Sequence, residues 1–174
     1  NLITASGFFD SNNERFNTCL ANLAMEDRRW QEMKSYCDRV AAVNPNNQQN
    51  LKYLAQYHFE FKEFDNALEM LDRLLPAEKN DPIVLSHFGA IYYWQGKIAE
   101  AVQTLDKALD KLKTCPMALA YRALIHIGKG EYEEALEKVK LAIESSGQSP
   151  DDFLHLIEAD ALHGLLLAED SPQK

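Results

Sequence analysis

A repeat of 34 residues runs through the sequence and constrains the fold more than any other feature. Proline recurs with this spacing at Pro82, Pro116 and Pro150. Small residues recur with the same spacing in two registers, Ala55, Gly89 and Ala123 in the first and Ala67, Ala101 and Ala135 in the second. A fixed period in this range marks a repeat array, in which each repeat packs on its neighbours instead of closing a core of its own. Such arrays present binding surfaces and rarely catalyse reactions.

Each repeat is predicted to contain two helices joined by a tight turn. In residues 82–115, Asp81 can cap the first helix while Pro82 takes its first position, where a missing N–H costs nothing. Apolar residues then follow helical spacing up to Tyr92, Gly96 interrupts the helix, and the spacing restarts at Ile98. Small residues on both helices allow the pair to cross closely. The pattern therefore predicts an all-α fold.

These residues resemble the tetratricopeptide repeat, a helix–turn–helix motif of 34 residues. The similarity rests on Leu85, Phe88, Gly89, Tyr92, Gly96, Ala101, Leu105 and Ala108. It predicts a lead-in over residues 1–13, followed by the repeat array over residues 14–174. The array comprises the repeats 14–47, 48–81, 82–115 and 116–149 and ends with a capping helix over residues 150–170. The resemblance implies an α-solenoid, in which antiparallel helix pairs stack in a right-handed superhelix and bind peptide segments in a concave groove.

The resemblance also assigns residues to the groove, because the family lines it with fixed positions of each first helix. Carried over to this sequence, they are Lys52, Gln56, Phe59, Ile83, Ser86, Ala90, Tyr93, Trp94, Met117, Ala120, Leu124 and Ile127. The groove is then polar at one end and apolar and aromatic at the other, which favours an apolar or amphipathic segment of a partner protein. Alternatively, Tyr93 and Trp94 pack against neighbouring helices of the array.

Some members of the family bind the C-terminal carboxylates of chaperones through a clamp of basic and amide side chains. At the matching positions this chain offers Lys52 and Gln56, then His87, then Met117 and Tyr121. These residues do not supply the basic donors that a carboxylate needs. The sequence therefore disfavours a receptor for chaperone tails.

Composition excludes other classes of partner. The net charge of −9 argues against nucleic acid and anionic membrane surfaces, which attract basic patches. No apolar run approaches the ~18 residues of a membrane-spanning helix, so we expect no membrane insertion. The three cysteines, Cys19, Cys37 and Cys115, form no Cys-x-x-Cys pair, which predicts buried free thiols and favours a cytoplasmic location. The sequence opens on Asn1 rather than methionine, which is consistent with a fragment of a longer protein.

Two groups of side chains could suggest an enzyme. Potential metal ligands gather on one predicted helix, at His155, Glu158, Asp160 and His163. At 100° per residue they point to different sides of that helix and do not converge. His58 and His126 stand where the repeat carries a core aromatic residue, so we interpret them as structural rather than as general bases. Without a phosphate loop or nucleophile motif, we predict no enzymatic activity, no metal and no cofactor.

The last predicted helix has apolar residues on two sides. The residues that can cover the preceding repeat are Phe153, Leu154, Ile157, Ala161, Leu165 and Ala168, whereas Leu162 and Leu166 fall on the opposite side. Scattered surface leucines are common and need no purpose. The alternative is a second interface, covered by a symmetry mate, a partner or further repeats.

The sequence thus predicts a non-enzymatic interaction module, an adaptor or chaperone that holds a segment of another protein in its groove. The alternative is a structural subunit whose repeats serve stable oligomerisation or incorporation in a larger complex. In that case the C-terminal helix is a candidate for homo-oligomer contacts.

Overall fold

All regular structure in the described part of the chain is helical. The computed structural model describes residues 13–74, 76–147 and 152–169. Its helices are α1 (Glu14–Glu26), α2 (Trp30–Val43), α3 (Gln48–Glu60), α4 (Phe64–Asp72), α5 (Pro76–Lys79), α6 (Pro82–Trp94), α7 (Ile98–Lys111), α8 (Pro116–Lys129), α9 (Tyr132–Ser145) and α10 (Asp152–Glu169). The all-α helical repeat solenoid predicted from the sequence is confirmed. Residues 1–12 of the predicted lead-in lie outside the described residues, as do Pro150 and Asp170 at the ends of the predicted capping helix.

The same turn joins the two helices of every repeat. Arg28, Lys62, Gly96 and Gly130 each have a positive φ, between 54° and 78°, at intervals of 34 residues. The residue that follows each of these four donates its backbone N–H to the carbonyl five positions earlier. The N–H of Lys97, for example, lies 2.9 Å from the carbonyl oxygen of Tyr92. This is the Schellman ending, which needs one left-handed residue after the helix. Glycine meets that need without a Cβ penalty in two repeats, while Arg28 and Lys62 occupy the same backbone conformation in the others.

The paired helices cross at the small residues that the sequence repeats. A Cβ on Gly89 of α6 would lie 2.5 Å from Cδ2 of Leu105, a fully buried side chain of α7. Ala55 and Ala123 at the equivalent positions are also buried, as are Ala67, Ala101 and Ala135 of the second helices. Since a turn of two or three residues joins the two packed helices of each pair, each pair is antiparallel.

The helices form two compact units, Asn1–Lys79 and Asn80–Lys174. In the N-terminal unit α1 packs on α2 and α3 on α4, with α3 also contacting α1 and α2. Its core contains Met33, Cys37 and Leu54. Here the structure differs from the expected pattern, because α4 ends at Asp72 and Leu74 is buried beyond the helix end. Pro76 cannot continue a helix and disfavours helical backbone before it, so a separate short helix, α5, follows.

In the C-terminal unit the first helices of successive repeats, α6, α8 and α10, lie side by side. Helix α8 contacts α6, α7, α9 and α10, and α10 also packs on α9. Leu154, Ile157 and Ala161 of α10 enter the core formed with Leu119 and Val139. A Cβ on Gly164 would lie 2.2 Å from the ring of Tyr132, so the glycine allows α10 to approach α9 closely. The predicted covering role of the last helix therefore agrees with the burial of Leu154, Ile157 and Ala161, whereas Ala168 near the end of α10 is exposed.

Two of the three thiols are buried. Cys37 and Cys115 are buried, whereas Cys19 is exposed, so the prediction of buried thiols is wrong for Cys19. Burial raises the pKa of Cys37 to about 12, which keeps that thiol protonated and unreactive at neutral pH. Cys19 lies on an exposed side of α1, whose apolar spacing leaves it outside the core.

We expect Gly89→Leu to lower the free energy of unfolding by about 1–3 kcal/mol or more, because the added side chain collides with Leu105. Gly128→Leu is the matched control, since no atom lies within 4 Å of a Cβ there and leucine is the better helix former. Urea denaturation followed by circular dichroism measures both. Equal midpoints for the two variants would show that the crossing is not at Gly89.

The turn position allows a stabilising change. Lys62→Gly should raise the free energy of unfolding by about 1 kcal/mol, because glycine adopts the left-handed backbone at φ 59° without a Cβ clash. Gly130→Ala, at φ 78°, should lower it by a similar amount, about 1 kcal/mol. Thermal melts of both variants against the wild type measure the two shifts, and shifts of the same sign would contradict this assignment.

Candidate binding surface

Four aromatic side chains in the C-terminal unit form a continuous group across α6, α8 and α10. We call Tyr93, Trp94, Tyr121 and Phe153 the aromatic patch. The Trp94 indole N–H donates to the Tyr121 hydroxyl at 3.0 Å. Tyr93 meets Trp94 edge-to-face at 5.6 Å between ring centroids and Tyr121 at 5.5 Å. The Tyr121 and Phe153 rings lie 5.9 Å apart.

These contacts fix the orientation of Trp94 while leaving much of its ring accessible. Aromatic pairs of this geometry contribute about 0.5–1.5 kcal/mol each beyond the area they bury. Trp94 is nevertheless 48% exposed, whereas Tyr121 is buried. Burial also raises the pKa of the Tyr93 hydroxyl. Because its N–H already bonds to Tyr121, Trp94 offers mainly its apolar ring to a ligand. A rigid exposed aromatic ring is the kind of anchor on which binding interfaces rely.

The residues predicted for the groove differ in accessibility within this unit. Ile83 is 57% exposed and lies 11 positions before Trp94, about 16 Å along α6. Tyr93, Met117, Leu124 and Ile127 are half-buried, and Leu124 and Ile127 pack on the core of α8, α9 and α10. Ser86, Ala90 and Ala120 are buried, and Ser86 donates to the Ile83 carbonyl at 2.6 Å. Direct contact with a ligand is therefore available chiefly at Ile83 and Trp94.

Sequence reasoning did not assign Tyr121 and Phe153 to the groove. Tyr121 stands one position after Ala120, at a position matching the carboxylate clamp but not at one of the positions carried over to the groove, and Phe153 is predicted to cover the preceding repeat. The structure adds both through their ring contacts with Tyr93, Trp94 and each other. The available signal was the clustering of aromatic residues near the ends of neighbouring first helices.

In the N-terminal unit, the three residues predicted for the groove each have a nearby intramolecular partner. The Lys52 ammonium lies 2.6 Å from the Glu78 carboxylate of α5. The Gln56 amide donates to Glu60 at 2.8 Å. The Phe59 ring lies 6.0 Å from that of Phe64. This polar part of the predicted groove is half-buried and partly neutralised by its own carboxylates.

The face of α6 carries no charge at neutral pH. The helix contains no Asp, Glu, Lys or Arg. Burial lowers the pKa of its one histidine, His87, whose ring nitrogen lies 2.8 Å from the Ile83 carbonyl. In α8, Arg122 is mostly buried and its Nε lies 3.0 Å from the Asp106 carboxylate. A ligand on this face therefore meets apolar and aromatic groups rather than ionic ones.

The histidines that could suggest catalysis hold turns together. His58 Nδ1 lies 2.6 Å from the Glu63 carboxylate, and His126 Nδ1 lies 2.7 Å from that of Glu131. Each glutamate immediately precedes the second helix of its repeat, so the pair ties the end of one helix to the start of the next. His155 lies 3.7 Å from Glu158 on α10. Within the described ranges, no group of three or more His, Cys, Asp or Glu residues is placed to hold a metal ion.

The far side of α10 is the second exposed apolar surface of the C-terminal unit. Leu156 is 65% exposed, Leu162 45% and Leu166 61%. The two leucines predicted for a second interface thus lie on the side of the helix away from the core residues Leu154 and Ile157. In the part of the chain that the structure describes, no helix is long and apolar enough to cross a membrane.

Comparisons with known proteins agree with this architecture of repeated helix pairs. A tetratricopeptide repeat profile matches residues 89–151, and the profile of the anaphase-promoting complex, cyclosome, subunit 3 matches residues 28–108. These are helical protein-interaction repeats. The two profiles together span residues 28–151 and, with the solved structures described below, support a tetratricopeptide repeat protein. No curated protein matches the sequence.

Solved structures with low sequence identity share the fold. YrrB, titled a TPR protein with an unusual peptide-binding site, is 15% identical with a TM-score of 0.61, over 98% of this chain and 92% of its own. The Sgt2 TPR domain from Aspergillus fumigatus is 20% identical with a TM-score of 0.61, over 73% of this chain and 84% of its own. A chain of the APC/C hetero-tetramer Cut9–Hcn1 is 12% identical with a TM-score of 0.74, over 92% of this chain and 32% of its own.

The pairing of His58 with Glu63 predicts a pH-dependent contribution to stability. The hydrogen bond from His58, followed by one from Asn66, lowers the pKa of Glu63 below its usual 4.5. As the pH falls, Glu63 therefore becomes protonated in the unfolded chain at a higher pH than in the folded chain. The contribution of the Glu63 charge to folding stability is complete above pH 4.5 and is lost as the pH falls through the folded-state pKa. Glu63→Gln should lower the melting temperature at pH 7, and the difference from wild type should shrink below about pH 4.

Glu69→Gln is the control, because Glu69 is an exposed carboxylate on the same helix. Its melting temperature should stay close to that of the wild type throughout the series. A difference between Glu63→Gln and wild type that persists undiminished at pH 3 would contradict the proposed contribution of the Glu63 charge.

Proposed function

We propose that the C-terminal unit binds an apolar or amphipathic segment of another protein on the aromatic patch and the adjoining face of α6. The chain then acts as a non-enzymatic adaptor or chaperone. The single observation that carries this proposal is the exposed ring of Trp94, held in place by Tyr93 and Tyr121. An exposed aromatic side chain that is already ordered loses little conformational entropy when a ligand covers it.

The chemistry of this face specifies the ligand class. Helix α6 contains no charged residue, so it supplies no basic group for a terminal carboxylate, and Arg122 of α8 is mostly buried with its Nε paired to Asp106. An apolar segment gains by covering Trp94 and Ile83, at opposite ends of α6. An extended peptide of about five residues, at about 3.3 Å each, spans the distance between them.

The second candidate function is a structural subunit that uses its repeats for assembly. The exposed leucines of α10 favour it, because several exposed apolar side chains on one helix suit a permanent contact. The two functions use different surfaces of the C-terminal unit, so variants of α6 and α10 separate them.

Peptides selected from a random library on the wild-type chain test the groove proposal. In a Trp30→Phe background, Trp94 is the sole tryptophan, so its emission should shift to shorter wavelength as an apolar peptide covers the ring. Trp94→Gln should weaken binding of the selected peptides at least about 30-fold, the loss of ~2 kcal/mol expected of a hot-spot residue. Intact helix content by circular dichroism confirms that the variant is folded.

Leu112→Gln is the matched control. Leu112 is also an exposed apolar residue, but it follows α7, which runs back toward the start of α6, so it lies at the opposite end of the helix pair from Trp94. Peptide binding should be unchanged in this variant. Selected peptides that bind Trp94→Gln as tightly as wild type would refute the assignment of the aromatic patch.

A further inference from the structure

The exposed side of α10 carries a stripe of side chains with an internal symmetry. Leu156 and Leu166 stand five residues before and five residues after position 161, and Leu162 lies near the middle. All three are exposed, whereas Ala161 itself faces the core. The stripe is therefore apolar at both ends of a helix of 18 residues, about 27 Å long.

Two ionisable residues of opposite type occupy the middle of this stripe. Asp160 and His163 are both exposed, and they stand on either side of positions 161 and 162 in the middle of the helix. His155 and Glu158 lie toward the edge of the stripe, where they approach each other within the helix at 3.7 Å. The central Asp160 and His163 are the groups that a helix laid along the stripe would meet.

A second copy of α10 complements this pattern only when the two helices run in opposite directions. With a twofold axis near residue 161, Leu156 faces Leu166 of the second copy and Ala159 faces its His163. Asp160 then lies beside His163 of the second copy, and the same contact forms twice. A parallel pair would instead place Asp160 against Asp160 and His163 against His163, and like groups in direct opposition are unfavourable.

We propose that α10 forms an antiparallel homodimer contact through Leu156, Ala159, Asp160, His163 and Leu166. A twofold interface uses the same patch on both subunits and must be self-complementary. The balanced leucines and the central Asp–His arrangement meet that requirement, which binding to an unrelated helix would not impose. One helix pair buries little area compared with a standard interface, so we expect a weak dimer.

Disulfide trapping tests the direction of the helices. In a Cys19→Ser background, an equimolar mixture of Ala159→Cys and His163→Cys should cross-link readily, because the proposed antiparallel pair sets these two positions opposite each other. Leu156→Cys should not cross-link to itself, since an antiparallel pair separates the two positions by about 15 Å along the axis. An equimolar mixture of Leu156→Cys and Leu166→Cys should cross-link to each other.

Charge exchange tests the pairing of Asp160 with His163. His163→Asp places two carboxylates together and should weaken dimerisation at least about tenfold in sedimentation experiments, ~1.4 kcal/mol. The double variant Asp160→Lys with His163→Asp restores opposite charges and should recover the wild-type dissociation constant. Both positions are exposed, and circular dichroism verifies that the helix content is unchanged.

Three results would overturn the proposal. The first is a wild-type chain that sediments as a monomer up to about 1 mM, which would assign the stripe to a different occupant. The second is self-cross-linking of Leu156→Cys as efficient as cross-linking in the mixture of Leu156→Cys and Leu166→Cys, which requires a parallel pair. The third is a double charge variant that remains as weak as His163→Asp. Trp94→Gln, in contrast, should leave the dimer intact, so failure of the peptide-binding proposal is distinguishable from failure of this one.

Discussion

The close crossing of the two helices in each repeat is the constraint on which the rest of the structure depends. At Gly89 even a single Cβ would collide with Leu105, and alanine fills the equivalent positions in the repeats on either side. A left-handed turn residue returns the chain immediately, so the second helix lies against the first. Near the end of α6, Tyr93 and Trp94 contact the neighbouring first helix and form the aromatic patch with Tyr121 and Phe153.

The 34-residue period predicts the helices and turns well because its signals are local. Proline, small residues and apolar spacing each act within one or two helical turns, and the turn position recurs even where Arg28 or Lys62 replaces glycine. The period does not predict α5. Pro76 is an individual departure from the repeat, and it ends α4 early and introduces a short helix whose Glu78 pairs with Lys52. Cys19 was predicted to be buried on its residue type alone, although its position on α1 is exposed.

The binding surface was harder to predict than the fold, since accessibility depends on neighbouring side chains rather than on helical position. Ser86, Ala90 and Ala120 stand at positions that the family assigns to the groove, yet they are small and buried. Tyr121 stands outside those positions, yet its hydroxyl and ring connect Trp94, Tyr93 and Phe153. Helical periodicity gives the direction of a side chain, whereas the exposed area also depends on the size of every residue around it.

The two exposed surfaces of the C-terminal unit discriminate between partners by different physical means. The α6 face has no ionic groups to orient a ligand, so it discriminates by apolar area and by the shape around Trp94. The α10 stripe sets exposed leucines around Asp160 and His163, so the sign and position of charge on the facing helix select the partner and its direction. A charged helix that suits the α10 stripe would lose the hydration of its charges on the α6 face, where no ionic group would compensate for that loss. Under the two proposals, a peptide on the α6 face and a second copy on the α10 stripe occupy different surfaces of the same unit.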